Sequence, residues 1–284
     1  MPTESEAFSI YKSPIHFDGL NMANWSREIF LACSLGGITA SPAPAESEKE
    51  HTDLIIQAHS VRDIRRAKEE GKTAVLLSWR NTAGIEDQID YLRVFRDLDV
   101  QKMQVTYNTA NYSGAGYTDW GIVVDLSHVG PVTTRDVIEY VGVSGSTSKP
   151  PRFSHILPAG LKEHPRNKSD ELIKLLGEKG GFIGLNQFGP DMEKGNKSTI
   201  DDYVAALDCV IGLVGEDLVG IGSDSSEGHA RLSEFMAWCN LDKGQTAVKP
   251  LGALKDRAEL AKAVARAGWS EEKMRKGSGG NWLS

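Results

Sequence analysis

The chain has 284 residues, 40% apolar, 25% charged and 7% aromatic, with a mean hydropathy of -0.33, a balance that rules out disorder and fibrous repeats. Against 39 Asp and Glu, 32 Lys and Arg leave a net charge of -7, and no stretch clusters cations densely enough to follow a phosphate backbone, which excludes nucleic acid as a partner. No window approaches the ~18 apolar residues of a membrane span, and the opening MPTESEAFS is acidic where a signal peptide would be basic and then apolar, so no membrane contact and a cytoplasmic location are expected.

Short runs rich in β-branched residues alternate with amphipathic stretches along the chain. Pro14–Leu20 reads as a strand, followed by a helix at Trp25–Leu35 and a second strand at Gly37–Ala40. A helix at Val61–Glu70 precedes a strand at Thr73–Trp79, and a helix at Ile85–Leu98 precedes Lys102–Tyr107 and Gly121–Leu126. Thr133–Val141 is helical, Arg152–Ser154 a strand, Ser169–Lys179 helical and Gly181–Asn186 a strand. A helix at Thr199–Val214, a last strand at Leu218–Gly222 and a helix at Leu254–Ala267 complete the pattern. Two helices carry caps: Ser169 ahead of Asp170 and Glu171, and Thr199 with Asp202 three residues on.

Eight near-continuous apolar strands alternating with helices predict one α/β domain over residues 1–284, a TIM-barrel-like (β/α)8 fold, because such strands need cover on both faces. An open doubly wound sheet is the rival, but no GxGxxG follows an early strand. Residues 108–120 are short and Gly-rich for a crossover helix, and residues 41–59 lack clear periodicity. The barrel is expected to be abbreviated there, and a homo-oligomer that completes it stays open. Cys33, Cys209 and Cys239 are odd in number and outside any CxxC spacing, which points to buried thiols and away from disulfides or a thiolate zinc site.

Barrel enzymes place their chemistry at the carboxyl ends of the strands. Read off in order, these ends carry Asp18 and Asn21, Arg80 and Asn81, Tyr107 and Asn108, Asp125 and His128, Ser154 and His155, Asn186 and Gln187, and Ser223 and Asp224. Two His, an Asp and an Arg converging on one mouth could hold a metal or a carboxylate. His16-Phe-Asp18 is a further HxD pair on the first strand, and Arg166, in His-Pro-Arg-Asn, is either a loop cation or a carboxylate-binding fork.

Asp18-Gly-Leu-Asn with Trp25, Val124-Asp-Leu-Ser-His-Val129, Phe153-Ser-His155, His164-Pro-Arg-Asn167, Gly220-Ile-Gly-Ser-Asp224 and the terminal Gly280-Asn-Trp-Leu283 together resemble, in order, the renal (membrane) dipeptidase family of zinc metallopeptidases. The resemblance implies a (β/α)8 barrel and a binuclear zinc site. It matches His128 and His155 to the pair that holds one zinc, Asp224 to the strand-eight carboxylate and Arg166 to the Arg that grips a substrate carboxylate. The other ligand positions depart from the family. Leu20 and Met22 stand where it has His and Asp, Arg80 where it has a bridging Glu, and Tyr107 where it has a substrate-polarising His.

A guanidinium cannot shed its proton, and at the bridging position it repels two dications by several kcal/mol even at an effective dielectric near 20. The expectation is therefore at most one zinc, on His128 and His155 with Asp224 or water, or none. Arg80 would pair with Asp224. The leading reading is a dipeptidase-like metallohydrolase acting on the amide bond of a dipeptide or other small molecule, with His128, Asp224 and Arg80 catalytic and Tyr107, His155 and Arg166 holding substrate. The alternative is a barrel that binds a small carboxylate or amino-acid derivative without metal.

Overall fold

Eight short parallel strands form one sheet: β1 (Ala40–Ala43), β2 (Ile55–Gln57), β3 (Thr73–Arg80), β4 (Lys102–Gln104), β5 (Val123–Asp125), β6 (Arg152–Ile156), β7 (Phe182–Leu185) and β8 (Val219–Ile221). The structure, a computed structural model, describes residues 4–12, 14–43, 51–85, 88–107, 122–144, 150–227 and 257–283. The order is β1-β3-β4-β5-β6-β7-β8, with β2 alongside the first half of β3 and β4 alongside its second half.

Residues 16–22 join the two ends of this order. Phe17 bridges Ala40 and Asn21 bridges Ser225, both in parallel register. Asp18 N donates to Ala40 O at 2.9 Å, and Gly19 N donates to Ile221 O at 3.0 Å. The strand expected at Pro14–Leu20 thus exists as the stave that closes a barrel, paired through isolated bridges because β1 and β8 are both short.

Helices α1 (Glu4–Lys12), α2 (Arg27–Gly36), α3 (Val61–Glu69), α4 (Tyr91–Asp97), α5 (Pro131–Ser144), α6 (Asp170–Glu178), α7 (Ile200–Val214), α8 (Ala258–Arg266) and α9 (Glu271–Ser278) accompany the strands. Every residue of β7 and β8 is buried, and the main core lies between β5–β8 and α5–α9, around Phe153, Ile183, Leu185, Tyr203 and Trp269. Both expected caps form. Ser169 Oγ accepts from Leu172 N, and Thr199 and Asp202 make a reciprocal capping box at the start of α7.

The barrel interior depends on glycines that let side chains and backbone cross it. A Cβ at Gly222 would lie 1.8 Å from Ser154 O, one at Gly184 2.2 Å from the same oxygen, and one at Gly19 2.2 Å from the ring of Trp282. That indole stacks on Phe17 at 4.9 Å and meets Phe182 at 4.1 Å, so the end of the chain fills the barrel floor.

Several expected boundaries move. The second strand is Ala40–Ala43, and residues 41–59 contain β2. β6 continues past Ser154 to Ile156, which places His155 inside the strand. Ile85–Leu98 resolves into a 3-10 turn at Thr82–Ile85 and the shorter α4. Neither α1 nor α9 was expected: α1 buries only Ala7 and Tyr11 among its described side chains, and α9 buries Met274, Gly277 and Ser278, too few apolar positions to show a period. Residues 108–120 lie outside the described residues. Cys33 is buried and Cys209 half-buried, both unpaired, and Cys239 lies outside the described residues. No helix among the described residues is long and apolar enough to cross a membrane.

Candidate active site at the barrel mouth

β5 and β6 run side by side, so the residues that follow them meet at the carboxyl end of the barrel. His128, three residues beyond β5, brings its Nε2 to within 3.0 Å of Nε2 of His155 on β6. Arg80, the last residue of β3, donates from Nη2 to His128 Nε2 at 3.1 Å. Its guanidinium lies 4.0 Å over the ring of Tyr107, which in turn packs 4.6 Å from the His128 ring. Four of the six expected site residues therefore form one cluster.

His155 is oriented from behind by a hydroxyl and a carboxylate. Its Nδ1 lies 2.7 Å from Ser154 Oγ, and Ser154 Oγ donates to Asp125 Oδ2 in a short contact. Ser127 Oγ donates to the other oxygen of Asp125 at 2.7 Å. Burial pushes the Asp125 carboxyl up, but Lys102 and the two serine hydroxyls outweigh it and hold it below the ordinary value. An ionised Asp125 takes the Ser154 proton, so Ser154 Oγ accepts from His155 Nδ1–H, and His155 Nε2 is left as an acceptor. Arg80 can only donate, so His128 Nε2 is an acceptor too. Two imidazole lone pairs face each other at 3.0 Å, a geometry that a shared cation or proton relieves.

Neither ring takes that proton readily. Burial, followed by the positive charge of Arg166, drives both imidazoles well below the usual value near 6.5, with Arg80 adding to each. Both histidines are neutral at pH 7.

Arg166 does not extend into the mouth from a free loop. It donates to Ser127 O at 3.3 Å and His155 O at 2.8 Å, which ties the loop after β5 to the end of β6. Asp224 acts on it by charge. The expected pairing of Arg80 with Asp224 is corrected: Arg80 goes to Tyr107 and His128 because these follow β4 and β5, the next two staves, and Asp224, across the mouth after β8, faces the field of Arg166. Asp224 has a left-handed backbone, φ 53, with its N–H held by Leu20 O at 2.9 Å, a conformation Asp tolerates and one that aims the side chain away from the strand direction.

His16 is no ligand partner for Asp18. Its Nε2 meets Tyr11 O in a short contact, and burial lowers its pKa to about 3. Asp18 accepts from Ser223 N at 2.7 Å, Ser223 Oγ at 2.5 Å and Arg257 Nη2 at 3.3 Å, and Arg257 also donates to Gln187 Oε1 at 3.2 Å. This buried knot beneath the mouth was not foreseen. Arg257 stands at the start of α8 among ordinary helix residues, where nothing in the sequence marks it. Asp125 and Ser154 were visible inside the strand-end motifs, but their role behind His155 requires the register of β5 against β6.

A test of the donors against a metal centre gives two answers. A dinuclear site does not fit: Leu20 and Met22 offer no ligand atom, and Arg80 places a cation 3.1 Å from His128 Nε2. One cation fits the two facing Nε2 atoms once Arg80 Nη2 leaves the His128 lone pair, with His155 braced through Nδ1 as metal-bound imidazoles are. Among the described residues no group of three or more His, Cys, Asp or Glu converges as a metal-holding set, so Asp224 does not join the pair directly.

A family model described as membrane dipeptidase (peptidase family M19) matches residues 117–284. An uncharacterized dipeptidase of Schizosaccharomyces pombe is 27% identical over 186 residues, 57% of this chain and 43% of that protein. The chain spans under half the length of the first curated relatives it matches. Among solved structures, an amidohydrolase from Pseudomonas aeruginosa superimposes with a TM-score of 0.85 at 36% identity, over 99% of this chain and 97% of its own. A metallopeptidase from Rhodobacter sphaeroides, liganded with a phosphinate mimic of L-Ala-D-Ala, shares the fold with a TM-score of 0.70 at 17% identity, over 95% of this chain and 98% of its own.

Proposed function

The chain belongs to the membrane dipeptidase family, peptidase family M19, and from that premise we propose that it is a dipeptidase-like hydrolase with a pared-down centre, in which His128 and His155 hold at most one zinc. The observation that carries this reading is the pair of acceptor nitrogens facing each other at 3.0 Å. When bound there, zinc would supply a Lewis acid for an amide carbonyl and lower the pKa of water.

The chain's own groups do the rest. Ser154 and Asp125 fix the tautomer of His155. Arg166 and Arg80 make the mouth cationic, which suits the free carboxylate of a dipeptide, and Tyr107 floors the space beside His128. Asp224, across the mouth after β8, takes the role of accepting a proton from attacking water. A dipeptide is the proposed substrate class, the class whose mimic occupies the Rhodobacter sphaeroides peptidase.

Metal content of the purified protein, measured by mass spectrometry beside His128→Ala, tests the centre. Up to one zinc per chain that disappears in the variant, with dipeptide hydrolysis lost on chelation and restored by zinc, is the expected result. Hydrolysis indifferent to chelation sinks it. A second reading, a metal-free barrel that binds a small carboxylate or amino-acid derivative, is favoured by the Arg80 donor already seated on His128 Nε2. Absence of stoichiometric metal in both proteins would select it.

A further inference from the structure

The pole of the barrel opposite the histidines holds a cavity of about 170 Å³. It lies at the amino ends of β4, β5 and β6, where Lys102, Val123 and Arg152 each stand first in their strand. Phe17, Leu76 and Trp282 give it apolar walls, and its polar lining carries the cations Lys102 and Arg152 beside Gln101 and three serines.

The two cations differ in how they are satisfied. Lys102 Nζ donates to Gly19 O at 2.9 Å and stands 3.6 Å from the Asp125 carboxylate. Arg152 makes no hydrogen bond or ion pair through its guanidinium among the described residues, and its Nε is buried without a partner. Its Cζ lies 5.9 Å from the Trp282 ring, and burial lowers its pKa while Asp125 alone opposes that. A guanidinium offers five N–H donors in a planar fork and keeps its charge. Lys102 and Arg152 against Asp125 leave one positive charge unmatched, and an unmatched charge drawn away from water is costly.

We propose that this cavity binds a small monocarboxylate with a compact apolar body, its two oxygens held by the Arg152 fork and its body against Phe17, Leu76 and Trp282. One charge balances the site, a planar pair of acceptors matches the fork, and the volume admits an acid of roughly four to six carbons at about 30 Å³ for each water-sized group. The cavity shares Ser154 with the brace behind His155, but Arg152, Phe17, Leu76 and Trp282 lie away from the mouth, so loss of metal or of hydrolysis leaves the proposed contacts in place.

Calorimetric titration of the purified chain with isobutyrate tests it, with isobutyramide and inorganic phosphate as comparison probes. The expected result is saturable isobutyrate binding that weakens at least tenfold in Arg152→Met and is unchanged in Arg80→Met, with isobutyramide and phosphate each at least tenfold weaker. Should Arg152→Met fail to fold, Leu76→Trp fills the cavity while keeping the cation, and it must abolish the same binding. No saturable binding overturns the proposal, as does binding that survives both cavity variants or is lost in Arg80→Met, which puts the ligand at the mouth. Phosphate binding as tight as isobutyrate overturns the carboxylate assignment.

Discussion

At the scale of single residues, three histidines are held neutral by burial. His16, His128 and His155 all have pKa values below the ordinary 6.5, so the unfolded chain takes up protons on acidification that the folded chain refuses. The sign follows from linkage: stability present above about pH 6.5 is lost as pH falls, at up to about 1.4 kcal/mol per pH unit for each group, or about 4 for all three. Urea midpoints should therefore drop steeply between pH 7 and 5.5, and His16→Gln should flatten the slope by about a third. A midpoint that stays level over that range contradicts the burial of these rings. The substitutions Leu20, Met22 and Arg80 were legible from the sequence because each occupies a fixed place in a motif. The direction Arg80 takes was not, since a long flexible cation reaches several acceptors and only the register of β3, β4 and β5 chooses among them.

At the scale of elements, backbone contact across the barrel explains why the strands run as they do. Ser154 O is approached by three glycines, Gly19, Gly184 and Gly222, and that closeness lets Ser154 and His155 sit deep enough to meet Asp125 and His128. Gly222→Ala would put a methyl 1.8 Å from Ser154 O, against backbone that cannot swing aside, so the expected cost is that of an overpacked core, about 1–3 kcal/mol or more. It should appear as a lowered urea midpoint together with weaker zinc binding, because β6 carries His155. A variant as stable as the parent would mean the staves are further apart. Long periodic helices such as α7 were readable with their caps, and the apolar runs of β3, β7 and β8 were readable within a residue or two. Short elements were not: β2 has three residues and α9 buries a single large apolar side chain, Met274, so neither displays a period before its partners are known.

At the scale of the whole molecule, the barrel closes because the first stave and the final turn meet. Residues 16–22 lie between β1 and β8, and Gly280–Leu283 brings Trp282 beneath them, 5% exposed, against Phe17, Phe182 and the glycine faces of Gly19 and Gly220. The order of the strands follows from their alternation with helices, but the closing residues are remote in sequence, and their contact is set by size: an indole fits where two staves offer no Cβ. Trp282→Ala leaves that space empty, and truncating a buried Trp costs about 3–5 kcal/mol. Because the indole also walls the lower cavity, its removal should weaken isobutyrate binding along with stability, whereas an equally destabilising change on the far side of the core, such as Tyr203→Ala in α7, should lower the urea midpoint and leave the ligand's affinity intact at temperatures where both variants are folded. If the two variants lose affinity in parallel, the cavity depends on the stability of the barrel as a whole and the indole has no part in recognising the ligand.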